Sequence, residues 1–150
     1  MLKKDRKEAS SELKALNDAE ATAALVLKMT NSNESFIPKR RRSLADRLDN
    51  HALTAYEAVR YANHINPSST TERKIRINSA MRAAHASLDL CSDIRLLSAA
   101  LGIPKNDKRI EALTVSAVKT NEIVTRWYNS ECVKYDNIKA EKKNETKKKK

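Results

Sequence analysis

One glycine and three prolines in 150 residues leave this chain almost nothing with which to interrupt a helix. In a helix interior Gly costs about 1 kcal/mol and Pro about 3 kcal/mol relative to Ala, so a chain nearly without them keeps its helices long. Ala, Leu, Lys, Arg and Glu recur throughout, and runs of β-branched or aromatic residues of strand length are few. The chain therefore reads as all-α, with one domain large enough to bury a modest core.

Stop signals and periodicity mark four helices. The first spans residues 5–30, where Leu13, Leu16, Ala19, Ala23 and Leu27 step by three or four, and Thr30-Asn31-Ser32-Asn33 ends it. A linker follows, with Pro38 biasing Ile37 away from helix, and Phe36 and Ile37 are expected to anchor the turn in the core. Ser43 with Asp46 starts the second helix, which places Leu44, Leu48, Ala52, Ala55, Tyr56, Val59 and Ala62 on one face and closes at Asn66-Pro67. Ser69 and Glu72 form a capping box for the third. Its expected core line is Ile77, Met81, Ala84, Leu88, Cys91 and Arg95, with Ile94, Leu97 and Leu101 beside it. Gly102 followed by Pro104 stops that helix, Gly102 in the position of a left-handed cap.

Asn106 or Asp107 caps the fourth helix, whose core line is Ile110, Leu113, Ala117, Val124 and Trp127, with Val118, Ile123 and Tyr128 flanking. Helicity is expected to fade after Ile138, leaving residues 141–150 as a self-repelling, disordered Lys-rich tail behind a bundle domain of residues 1–140. Short loops between long amphipathic helices place neighbours antiparallel, so the expected architecture is an up-down four-helix bundle. A three-helix core with a loosely attached first helix is the alternative.

The formal net charge is +11, from 30 basic and 19 acidic residues. Such an excess favours a polyanionic partner. It is unevenly placed: residues 1–34 hold six basic and six acidic side chains, whereas residues 142–150 hold six Lys against one Glu. The rest of the excess falls within residues 35–141. Cys91 and Cys132 lack metal-ligand spacing and read as buried or half-buried thiols. With neither a secretory leader pattern nor a long apolar run, a cytoplasmic setting is expected, without membrane association.

No catalytic constellation stands out: a Ser-His-acid arrangement, a Gly-rich phosphate loop and a paired zinc motif are all missing, and no cofactor is implied. An enzyme is therefore not expected. His64 and His85 could meet across antiparallel helices, and His85 with Asp89 forms an i,i+4 pair; His51 carries no signal of its own. The basic residues say more. Lys39, Arg40, Arg41 and Arg42, with Arg47 soon after, form one cluster; Arg73, Lys74, Arg76 and Arg82 form a second; Lys105, Lys108 and Arg109 form a third. In an antiparallel bundle the first and third share one end and the second lies at the other. Adjacent cations repel one another, and a phosphate backbone relieves that repulsion while releasing counterions. Tyr56, Tyr61, Trp127, Tyr128 and Tyr135 fall mostly on core-like positions, which leaves little for base stacking. Nothing matches a helix-turn-helix, so backbone and shape recognition of structured RNA is the fitting mode.

The stretch Ile37-Pro38-Lys39-Arg40, then Leu44-Ala45-Asp46-Arg47-Leu48, is similar to one bacterial family of helical proteins. So are Leu88-Asp89-Leu90-Cys91-Ser92-Asp93-Ile94-Arg95-Leu96-Leu97 and the late Trp127. The chain resembles, over about residues 10–130, the four-helix-bundle proteins of the Avd type, accessory variability determinants of diversity-generating retroelements. That family also includes proteins encoded in intervening sequences of bacterial large-subunit ribosomal RNA genes. The resemblance implies a homopentamer of basic four-helix protomers without an active site. Its implied partners are a reverse transcriptase and the template RNA, which it supports in mutagenic cDNA synthesis. A basic bundle associated with ribosomal RNA, with no polymerase partner, is the alternative. Arg95 matches the family's helix-three arginine, and Lys39 and Arg40 match its basic lead into helix two. Thr125 and Arg126 stand where members often have a Gly-Gly pair, and Glu122 where an arginine is common.

Overall fold

A computed structural model describes residues 2–31 and 37–149, without the side chains of residues 2–11 and of Arg40. The expected Phe36 anchor lies outside the described residues. Four helices carry the fold: α1 (Leu2–Asn31), α2 (Arg42–His64), α3 (Thr70–Leu101) and α4 (Lys108–Lys148), with a short 3-10 turn at Lys39–Arg41 before α2. No strand occurs among the described residues.

The helix boundaries follow from local chemistry. Ser69 caps α3 by accepting a hydrogen bond from the Glu72 amide at 3.1 Å, while the Glu72 carboxylate takes one from the Ser68 hydroxyl. At the other end Gly102 adopts φ 62°, a left-handed conformation that favours glycine, and the Ile103 amide bonds back to the Ser98 carbonyl at 3.0 Å. Asp107 caps α4 through the Arg109 amide at 2.9 Å. The start of α2 differs from expectation: the helix begins at Arg42 with no side-chain cap, because the Pro38-led 3-10 turn already closes on itself, the Arg41 amide reaching the Pro38 carbonyl.

Hydrogen bonds fix how the helices pair. Between α2 and α3, Arg47 reaches Asp93, Ser79 reaches the Ala58 carbonyl and Arg76 reaches the Ala62 carbonyl, so the start of one helix meets the end of the other. Between α3 and α4, Asn121 bonds Ser87 and Arg76 bonds Glu131. Between α1 and α4, Thr22 bonds the hydroxyls of Ser116 and Thr120 at 2.6 and 2.7 Å. Helix α1 is thus integral to the bundle, packed on α2 and α4, rather than loosely attached.

Two apolar clusters fill the interior. One joins Val26, Leu48, Leu90, Ile94, Leu97 and Leu113. The other joins Ala15, Ala19, Val59, Ala80, Val124 and Trp127. The α2 and α4 faces fall where periodicity puts them, except that Val118 is 39% exposed. Those of α1 and α3 are rotated. Helix α1 buries Ala15, Ala19, Thr22, Ala23 and Val26 and leaves Leu13 58% exposed. Helix α3 buries Ala80, Ala83, Ala84, Ser87, Leu90, Ile94 and Leu97, while Leu88 is 55% exposed and Met81 and Arg95 face solvent. Small residues win here because they let helix axes approach closely and because Ser and Thr hydroxyls find partners across the seam.

Residues 141–148, part of the tail expected to be disordered over 141–150, are helical, as α4 continues to Lys148; Lys150 lies outside the described residues. Lys and Glu are good helix formers, neither Gly nor Pro follows Pro104, and closing lysines meet the negative end of the helix dipole. With 41 residues α4 is the longest helix; at the helical rise it measures about 60 Å, and residues 139–149 are exposed along its end.

Candidate nucleic-acid interface

The basic segments around residues 39–42 and 105–109 are distant in sequence and adjacent in space. The 3-10 turn and the α3–α4 loop flank one cleft of about 390 Å³, lined by Pro38, Arg41, Gly102, Pro104, Asp107 and Arg109. Lys39, Arg41, Arg42, Lys105, Lys108 and Arg109 are all exposed; the Arg40 side chain lies outside the described residues. Asp107 pairs with Arg109 at 3.0 Å, which holds the Asp107 carboxyl below the usual range and raises the Arg109 guanidinium. Arg42 approaches Asp46 only at 4.0 Å, with both side chains mostly in solvent. The exposed Arg42–Asp46 pair is worth little, whereas Arg109 is held by both oxygens of Asp107, at 3.2 and 3.0 Å.

Arg47 is held differently. Its Nε donates to Asp93 at 2.8 Å, and the His51 Nδ1 bonds the other oxygen of the same buried carboxylate. The Arg47 side chain stays 60% exposed beyond that contact. Asp89 meets the His51 Nε2 at 3.9 Å, so the acid that the sequence pairs with His85 sits beside His51 instead. His64 and His85 both face solvent. The sequence gives no hint of this His51–Asp93–Arg47 link because its members lie on two helices.

The second basic cluster splits. Lys74 and Arg82 are exposed. Arg73 is mostly covered, 3.7 Å from Glu131 and donating to the Pro67 carbonyl at 3.4 Å. Arg76 is 3% exposed and belongs to the core, which removes it from any surface for nucleic acid. It donates to the Ala62 and Ile65 carbonyls at 3.0 and 3.2 Å, satisfying the open end of α2. It also bonds Glu131 of α4 and Glu12 of α1 and lies 5.7 Å from the centre of the Trp127 ring. One guanidinium therefore ties together all four helices. A signal existed: Glu131 continues the α4 core line four residues after Trp127, and a buried acid requires a buried base.

Arg95 is exposed and lines a separate groove of about 510 Å³ between α3 and α4, with Ile94, Ile103, Lys105, Ile110 and Val115. The far end of α4 adds cations that the sequence separates from α3: Lys142 hydrogen-bonds Thr70 at the start of that helix, and Lys139 lies over Tyr135, 4.5 Å from the ring centre. Cys91 and Cys132 are free and half-buried, and burial pushes the Cys91 thiol up, away from nucleophilic use. Among the described residues no group of His, Cys, Asp and Glu could hold a metal ion, and no helix is long and apolar enough to cross a membrane.

Compared with protein-family models, with curated proteins and with solved structures, the chain matches none.

Proposed function

We propose that this chain is an up-down antiparallel four-helix bundle that binds structured RNA through its phosphate backbone and catalyses nothing itself. The observation that carries this reading is the cleft flanked by Arg41 and Arg109, around which Lys39, Arg42, Lys105 and Lys108 stand exposed. Phosphates seated there release counterions, and affinity falls steeply with salt. The motif resemblance extends the reading to an accessory protein of a diversity-generating retroelement, acting in the cytoplasm with the element's reverse transcriptase and template RNA. Leu88, Leu96 and Val115 stand exposed on α3 and α4 and offer apolar surface for the homopentamer that the resemblance implies.

Fluorescence anisotropy with structured RNA, duplex DNA and anionic vesicles across a salt series tests the proposal. RNA bound more tightly than duplex DNA, with a steep negative salt slope, is the expected result. Replacing Lys39 and Arg41 together by Ala should flatten that slope and leave helicity intact. Equal, weak binding to all three probes would overturn the RNA reading.

A further inference from the structure

Near the α2–α3 turn, at the end of the bundle away from the basic cleft, α2 and α3 enclose a groove of about 370 Å³ lined by Glu57, Arg60, Tyr61, His64, Ser79 and Arg82. Three features set it apart from an ordinary polar surface. Tyr61 is 58% exposed, although an aromatic ring gains most from burial. Arg60 and Arg82 converge on the groove from opposite helices, and among the described residues neither has an ion-pair partner. Glu57 precedes Tyr61 by one helical turn, so its carboxylate lies on the same side of α2 as the ring. It too lacks a partner among the described residues, although cations line the same groove. The floor is closed, since the Ser79 hydroxyl is spent on the Ala58 carbonyl at 2.8 Å.

We infer that this groove takes an unpaired nucleotide of the bound RNA, with its base stacked on Tyr61 and its flanking phosphates between Arg60 and Arg82. The inference rests on the RNA reading above and names the element of the RNA that this second site recognises. The volume lies in the range of small-molecule pockets and suits one nucleotide, not a duplex. An exposed aromatic ring in one groove with two guanidinium groups is the kind of surface on which single-stranded bases stack. The Glu57 carboxylate selects among bases: it accepts hydrogen bonds from the two Watson–Crick N–H donors of guanine and faces the carbonyl oxygens of uracil. Unstacked bases of this kind occur in loops and bulges, so the basic cleft reads the stem while the groove reads a loop.

The test uses the full chain and two fluorescein-labelled RNA hairpins with one stem, one with guanines in the loop and one with uracils, beside the blunt stem duplex. The guanine loop should bind most tightly. Tyr61→Ala should lower affinity for that hairpin about 5- to 100-fold, the loss of one stacked base. The blunt duplex should bind as before, and Tyr61→Phe should retain the hairpin affinity. Arg82→Ala should weaken both hairpins and not the duplex, and Glu57→Gln should erase the preference for guanine. If Tyr61→Ala leaves the hairpins unchanged while replacing Lys39 and Arg41 weakens them, the groove is not a nucleotide site and the RNA reading stands. If the unaltered protein binds no RNA even at low salt, both fall. Equal losses for hairpin and duplex in Tyr61→Ala, with unaltered circular dichroism, would also overturn the stacking role.

Discussion

At one end of the bundle Arg76 lies 3% exposed among Glu131, Glu12 and the last carbonyls of α2, whereas at the other Arg41 and Arg109 stand in solvent around a cleft between two turns. Both sequence segments are similarly basic. What separates them is the facing helix. Glu131 sits on α4 at the height of Arg76 and is 1% exposed, so the pair can be taken inside together. Around Arg41 the acids are Asp46 and Asp107, both near the surface and both engaged with other arginines. A cation becomes structural when an acid waits for it at the same level of the core, and remains available to a ligand when none does.

The largest effect should come from breaking the buried pair. Arg76→Ala removes the nearest cation of the buried Glu131, leaving it Arg73 at 3.7 Å and Lys134 at 3.5 Å, and should cost about 3 kcal/mol in denaturant unfolding. Arg41→Ala should stay within about 0.5 kcal/mol. Replacing the pair together, Arg76→Met with Glu131→Leu, should recover most of the loss, because a well-packed apolar pair avoids desolvating two ions. Recovery would show that the ion pair adds no net stability over an apolar pair. A double variant as unstable as Arg76→Ala would instead place the value in the α2 carbonyls that Arg76 satisfies.

A second comparison sets the hydroxyl seam between α1 and α4 beside the apolar core. Thr22 is 3% exposed and bonds both Ser116 and Thr120. Thr22→Val keeps the shape but removes the partner of the Ser116 hydroxyl, while Thr120 keeps the Asp18 carbonyl at 3.0 Å, and should cost about 1–2 kcal/mol. Thr22→Ser should cost less, because only a methyl is lost. Equal losses in the two variants would mean that packing rather than hydrogen bonding holds α1 in place.

Gly102→Ala should come next, at about 1–2 kcal/mol, because φ 62° is strained for any residue with a Cβ. Nothing lies within 4 Å of the position a Cβ would take, so the loss is conformational and should be the same with Ser at this position. Thermal unfolding of the two variants checks this.

The faces of α2 and α4 are legible in the sequence because bulky apolar residues recur there at helical spacing, from Leu48 to Val59 and from Ile110 to Trp127. Those of α1 and α3 are not, because spacing alone weights Leu13, Met81 and Leu88 above the alanines and hydroxyl residues that close packing selects. The meeting of the turns around Arg41 and Arg109 follows from helix count and loop length. The burial of Arg76 does not, since it needs the register of α3 against α4. Tyr61 escapes a periodicity reading for a related reason: it lies between Val59 and Ala62, both fully buried, and only the groove beside it shows that its ring turns outward.

The smallest effect concerns the caps at the two helix starts. A hydrogen bond from the Ser68 hydroxyl holds the Glu72 carboxyl below its ordinary 4.5, and Arg109 holds Asp107 below its ordinary 3.8. A carboxylate whose folded pKa is depressed contributes stability that is present above the unfolded value and lost as pH falls through the folded one. The Glu72 contribution therefore fades as pH falls below about 4.5, and that of Asp107 below about 3.8. Asp49 works the other way: burial raises its carboxyl above the ordinary 3.8, so protonation relieves a penalty there and offsets part of the loss. Melting temperatures followed from pH 7 to pH 3 should fall at the acid end, and Glu72→Gln with Asp107→Asn should fall less steeply than the unaltered chain. An unchanged slope in that double variant would show that the two helix starts do not set the acid sensitivity, and that their carboxylates cap without adding measurable stability.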